Sequence, residues 1–270
     1  MSRSAVRTVA AMVVRNERPY LANCLNHLIG NGIDYVIVDN ESTDGTRELL
    51  REQHFARHLV DLHHASYKGH FDWDGLLRAR ESAAKAVDAE WVLYLSADEI
   101  MHSYVPGETL SAAIDRVGAS GYDVIDFNEF VFLPVDAGYI PDRPGLPPLD
   151  LYYLFEPYRP RLMRARRKDL RVSHVAHGGH ILSGEPFRLS PETFALRHYI
   201  FRDQDHAMRK YAERIFAPAE LARGWHHNRY NVAGTRFVFP AASRLERLAA
   251  PESRTLSRAN PRKTHYWEWD

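Results

Sequence analysis

The chain has 270 residues, 35 basic and 35 acidic, for a formal net charge of zero, with 45% hydrophobic and 26% charged residues. This is a globular composition, sufficient for one large core, and it lacks the basic excess that nucleic-acid binders carry. A single cysteine, Cys24, excludes an internal disulfide and a cysteine metal cluster and fits a reducing, cytoplasmic setting. No window approaches the roughly 18 consecutive apolar residues of a membrane span, and Met1 to Arg7 holds no apolar signal core. Peripheral contact with a membrane surface stays open.

In chain order, Thr8 to Val14 is an apolar, β-rich run. Pro19 then opens a helix whose Leu21, Cys24, Leu25, Leu28 and Ile29 share one face, which places Cys24 in the core. Gly30 and Gly32 end it. Tyr35 to Val38 is a second strand, Ser42-Thr43-Asp44-Gly45 a turn into a helix with Leu49 and Leu50, and Leu59 to Leu62 a third strand. A helix from about Asp74 to Val87 sets Arg80 in the middle of a stripe of Leu76, Leu77, Ala83, Ala84 and Val87. Trp91 to Leu95 is a continuous apolar run that delivers Ser96-Ala97-Asp98-Glu99 at its carboxyl end. Alternating strands and helices predict a parallel sheet, and open α/β sheets bind ligands at that carboxyl edge.

Further on, a helix is expected from Leu110 to Val117 and a strand from Val124 to Phe132, while the proline-rich Pro134 to Pro160 reads as a long loop over the site. Arg164, Arg166, Arg167 and Lys168 read as a solvated face or an acceptor-side patch. Val172 to Leu182 carries His174, His177 and His180, and a helix from Gln204 to Phe216 follows His198-Tyr199. After Pro240 the sequence is polar and arginine-rich, and reads as a tail or a partner-dependent segment.

Two polar clusters top the first strands and so fall at one sheet edge: Arg15-Asn16-Glu17, and Asp39-Asn40-Glu41-Ser42-Thr43-Asp44-Gly45-Thr46. There Asp39 can accept from ribose hydroxyls or a base imide, with Asn16 and Ser42 adding hydrogen bonds. Ser42 or Asp44 serves equally as a helix N-cap.

These stretches resemble glycosyltransferase family 2, particularly its branch with Arg-Asn-Glu after the first strand and Asp-Asn-x-Ser-Thr-Asp-Gly-Thr after the second. Ser96-Ala97-Asp98-Glu99 is similar to the family's Asp-x-Asp motif followed by an acid, with Ser96 in place of the first aspartate. Arg80, sixteen positions before Ser96, is similar in spacing to the family's helix arginine. The resemblance implies the GT-A type of α/β fold, a mostly parallel central sheet flanked by helices. Residues 1–100 form its nucleotide-sugar-binding half, 101–240 its acceptor-side half and 241–270 a tail.

The activity implied is metal-assisted, inverting transfer of a sugar from a nucleoside-diphosphate donor, UDP-sugar favoured, to a hydroxyl on a glycan, a lipid-linked sugar or a small molecule. The resemblance assigns donor contacts to Arg15, Asn16, Glu17, Asp39, Asn40, Ser42, Arg80, Ser96 and Ala97. It assigns Mn2+ or Mg2+ to Asp98, with His198 completing the shell in preference to the other histidines. Arg80 faces the diphosphate, or else snorkels to the surface. Lys210, Tyr211 and Arg214 are structural or phosphate-facing.

Inverting transfer needs a base outside the metal shell. Glu129 is the first candidate, because it interrupts the apolar strand that follows the metal strand; a structural ion pair or a solvated strand face is its other reading. Asp126, at odd parity, points to the opposite face. A sugar nucleotidyltransferase is disfavoured by the missing glycine-rich phosphate loop, and a dehydrogenase by the missing Gly-x-Gly-x-x-Gly. A catalytically silent nucleotide- or sugar-binding module is the more serious rival, because Ser96 replaces an acid.

Overall fold

In the computed structural model, which describes residues 7–135, 149–226, 238–250 and 253–269, the apolar run Thr8–Val14 becomes β1. Its residues alternate between two buried layers. Ala10, Met12 and Val14 join the larger core under α1 (Arg18–Gly30), whereas Val9 and Ala11 join a second core on the other face. A central strand buried on both faces has no polar side to spare, which is why it reads as continuous apolar sequence. Pro19 stands in the first turn of α1, where its missing N–H costs nothing. Cys24 is fully buried on this helix, as its apolar spacing predicts.

β2 (Asp34–Asp39), α2 (Thr46–Arg51), α3 (Gln53–Ala56) and β3 (Leu59–His64) follow. α4 (Trp73–Ala86) is capped by Asp72, whose carboxylate accepts the Gly75 amide at 3.1 Å. It lays Ala83 and Ala84 against β1, β2 and β4 (Trp91–Tyr94). β5 (Glu99–His102), α5 (Leu110–Ala119) and β6 (Val124–Phe132) complete the first half. The second half contributes β7 (Leu151–Phe155), β8 (Met163–Arg167), the short pair β9 (Val172–Ser173) and β10 (Ser183–Gly184), and β11 (Phe194–His198). α6 (Gln204–Ala207), α7 (Pro218–Ala222) and β12 (Glu246–Arg247) close the chain.

The main sheet runs β12-β7-β6-β8-β4-β1-β2-β3. It is parallel from β4 to β3, and β8 enters antiparallel between β4 and β6. β11 pairs parallel with β6 and antiparallel with β5. Two registers position the site. Val14 pairs with Asp39, so the loops after β1 and β2 leave at the same edge. His198 pairs with Glu99, which brings the end of β11 beside the corner between β4 and β5.

Three sequence expectations change. The Pro134 to Pro160 stretch is not simply a loop: its described part contains β7, every residue of which is buried, while 136–148 lie outside the described residues. The basic run is not a solvated face. β8 sits mid-sheet, so Arg164 and Arg166 are buried: Arg164 pairs with Glu99 at 3.1 Å, and Arg166 donates to the Tyr94 hydroxyl at 3.0 Å. The segment after Pro240 packs on the domain, with β12 against β7, and Tyr266 and Trp267 in a cluster with Tyr153, Phe201 and Tyr211. Among the described residues no helix is long and apolar enough to cross a membrane.

Candidate active site

A cavity of about 960 Å3 opens at the carboxyl edge of β1, β2 and β4. Of the donor, metal and base candidates, Arg15, Asn16, Glu17, Asn40, Ser96, Asp98, Glu129 and His198 line it, as do Lys210, Tyr211 and Arg214. Asp39, Ser42, Arg80 and Ala97 are not on its wall.

The first two loops are tied to each other. Asn16 Oδ1 accepts the Thr43 amide at 2.7 Å, and the Asn16 amide donates to Ser42 Oγ at 3.1 Å. Asn16 and Glu41 hold positive φ angles of 56° and 55°, a conformation that non-glycine residues rarely adopt and that concentrates at functional sites. Arg15 donates to the carbonyls of Asn40 at 2.5 Å and Glu41 at 2.9 Å while lying 3.5 Å over the Tyr67 ring. Asp39 is buried, accepts the Ser42 amide at 3.3 Å and faces Arg47 Nε at 3.4 Å, so its carboxylate braces the loop. The capping reading fails for both Ser42 and Asp44: the N-cap of α2 is Gly45, with no side-chain cap bond, and Asp44 instead accepts the Thr46 amide at 2.9 Å and the Arg18 amide at 3.0 Å. Burial alone would raise its pKa, but bonds from Thr46 and Arg18 outweigh that and lower it.

Arg80 does not snorkel to the surface, and it is not among the residues that line the cavity. It is 1% exposed behind the wall, 4.7 Å over the Tyr94 ring, and its Nε and Nη2 have no hydrogen-bond partner among the described residues. Burial and the neighbouring Arg164 guanidinium lower its pKa to about 10. Gly179, at φ +88°, packs beside it: a Cβ there would stand 3.6 Å from Arg80 Nη2 and 3.0 Å from Leu77.

The polar centre is built from remote segments. His198 Nδ1 bonds Glu129 Oε1 at 2.5 Å, and its Nε2 faces Asp98 Oδ2 at 3.4 Å. Lys210 Nζ donates to that same Asp98 oxygen at 2.6 Å and to the Ile200 carbonyl at 3.0 Å. Lys210 sits in a π-helical turn, Met208–Ala212, that continues α6; such turns often mark functional positions. Burial opposes ionisation of Asp98, but Lys210 and His198 outweigh it and hold its carboxyl well below the usual range. Glu129 is also ion-paired with Arg161, so of its two readings the structure displays the ion pair. Arg161 and Arg202 also line the cavity, with nothing in local periodicity to mark them, and of the basic run read as a solvated face or an acceptor-side patch Arg164 reaches it.

The expected divalent ion fits this donor set poorly. Asp98 and His198 converge, but Lys210 occupies the Asp98 oxygen, Glu99 is committed to Arg164, and Ser96 is neutral. Among the described residues no group of three His, Cys, Asp or Glu is arranged to hold a metal ion.

Glu17 behaves differently from its neighbours. Burial, and then the Asp98 carboxylate, raise its pKa from 4.5 to about 7. The folded protein therefore binds more protons than the unfolded chain between those values, and stability falls as pH rises through that window, by roughly 3 kcal/mol in total. Glu17→Gln should remove this slope, so that thermal melts of variant and wild type diverge progressively from about pH 5 to about pH 8, the variant becoming the more stable. Parallel melting curves over that range would contradict this environment for Glu17.

A parallel sheet half that presents its carboxyl edge to a cavity, continued by antiparallel strands, is the GT-A type of nucleotide-diphospho-sugar transferase fold. The chain belongs to glycosyl transferase family 2, whose sequence profile matches residues 10–188. No curated protein matches the sequence. Among solved structures, TarS from S. aureus is similar at 16% identity and a TM-score of 0.43, over 72% of this chain and 37% of TarS. GalNAc-T7, crystallised with UDP, GalNAc and Mn2+, gives 14% and 0.42 over 73% of this chain and 44% of its own. The mannosyltransferase PcManGT from Pyrobaculum calidifontis, in complex with GDP-Man and Mn2+, gives 19% and 0.34 over 46% and 35%. The chain thus spans less than half the length of each of these three.

Proposed function

We propose that this protein transfers a sugar from a nucleoside-diphosphate donor, UDP-sugar favoured, to a hydroxyl of a glycan, a lipid-linked sugar or a small molecule, with inversion. The observation that carries the reading is the convergence of Asp98, His198 and Lys210, from three separate segments, on one cavity at the carboxyl edge of the sheet. Its volume of about 960 Å3 suits a ligand the size of a nucleotide sugar. Arg15, Asn16 and Asn40 offer the nucleoside side of the wall, with Phe71 and Trp73 stacked 5.4 Å apart as an aromatic flank.

Two carboxylates compete for the base. Glu129 is held by Arg161 and His198, which ties down its lone pairs. Glu17 lines the cavity with a pKa near 7, the range suited to taking a proton at neutral pH. We assign acceptor deprotonation to Glu17 and the orientation of His198 to Glu129. The second reading, a silent binding module, draws on Ser96 at the first acidic motif position. Incubation with UDP-, GDP- and dTDP-sugars, with and without a panel of sugar acceptors, separates the two: release of the nucleoside diphosphate by wild type but not by Glu17→Gln supports transfer. A nucleotide sugar that binds but is never turned over supports the silent module.

A further inference from the structure

We infer that the Lys210 ammonium stands in for the divalent cation at this site, so that the donor's diphosphate is held by a fixed side-chain charge and binds without metal. The inference rests on the nucleotide-sugar reading above and concerns how that donor is held.

Geometry argues first. Lys210 Nζ lies 2.6 Å from Asp98 Oδ2, the oxygen that His198 Nε2 also approaches at 3.4 Å. Mg2+ sits about 2.1 Å from a carboxylate oxygen. An ion bound to Oδ2 would therefore lie no more than about 4.7 Å from Nζ, and the two positive charges would repel beside a carboxylate that is only 5% exposed.

Charge argues next. The motif segment holds two carboxylates, and each already faces a basic side chain: Asp98 faces Lys210 and Glu99 faces Arg164 at 3.1 Å. Ser96 adds no charge, and its amide is spent on Glu99 Oε2 at 2.8 Å. A hard cation selects sites with surplus oxygen charge, and both carboxylates of the motif segment already face a cation. The same balance suits an anion. Lys210 carries three donors, of which Asp98 and the Ile200 carbonyl take two, and it lines the cavity. Arg202, Arg209 and Arg214, from the same stretch of chain, line it as well. A diphosphate there meets a cationic wall built by the protein itself, which is what a metal ion otherwise supplies.

The test is calorimetric titration of the full chain with UDP, GDP, CDP and dTDP, each in EDTA and in Mn2+. The result expected is that one nucleotide binds in EDTA with a Kd within about twofold of its value in Mn2+. Lys210→Met should weaken that binding at least tenfold, about the loss of one charge-assisted hydrogen bond, while Lys210→Arg retains most of it. Thermal melts of both variants check that they fold. Wild-type binding that appears only with Mn2+ overturns the inference while leaving the nucleotide-sugar reading intact, and so does unchanged affinity in a folded Lys210→Met. No binding of any nucleotide in either condition overturns that reading, and the lysine assignment with it.

Discussion

Replacing Asp98 by alanine should lower turnover by about 100- to 1,000-fold, the scale seen when one preorganised electrostatic contact to a reacting group is removed. Asp98 is 5% exposed and joins the two groups nearest the proposed reaction centre, with Lys210 Nζ at 2.6 Å and His198 Nε2 at 3.4 Å. Without it the ammonium loses its counter-charge and keeps only the Ile200 carbonyl, so it is no longer fixed where the leaving diphosphate needs it. Asp98→Asn keeps the shape but not the charge and should fall between alanine and wild type. Steady-state release of nucleoside diphosphate, compared across the three proteins after their melts are matched, reads the effect. Turnover within threefold of wild type in the alanine variant would place the chemistry elsewhere.

The second large effect is on stability. Glu129 is 6% exposed, is ion-paired with the equally buried Arg161, and accepts from His198 at 2.5 Å. Removing one member of a buried ion pair costs about 3 to 5 kcal/mol, because the other charge stays in a poorly solvated place. Glu129→Ala should therefore unfold at markedly lower denaturant concentration, and Glu129→Gln, which still hydrogen-bonds His198, should lose less. If Glu129 were the base and only weakly coupled to the fold, Glu129→Gln would instead keep wild-type stability and lose turnover.

The two halves of the fold were unequally legible. Continuous apolar runs at Thr8–Val14 and Trp91–Tyr94 announce strands buried on both faces, and the stripe on α4 announces a helix against the sheet; these signals are local, and the structure follows them. Asp98 and His198 are a hundred positions apart, and only the family likeness joined them before the β11–β5 register did. Where the reading fell short, the determining contact was remote. Arg164 looks like surface sequence until β8 is threaded between β4 and β6, and Arg80 looks able to snorkel until Gly179, far downstream, packs beside it. Glu129 reads as an interrupting acid because Arg161 and His198, which neutralise it, arrive on other segments. Tyr266 and Trp267 read as tail because their apolar partners, Tyr153, Phe201 and Tyr211, lie far upstream.

We propose that the cavity at the carboxyl edge of the sheet holds the donor nucleotide. A crystal structure of the protein soaked with whichever nucleoside diphosphate binds most tightly tests it most directly. The nucleoside is expected against the wall formed by Arg15, Asn16 and Asn40, with the diphosphate within hydrogen-bond reach of Lys210. Nucleotide bound at any other surface, with the cavity filled only by water, would contradict it.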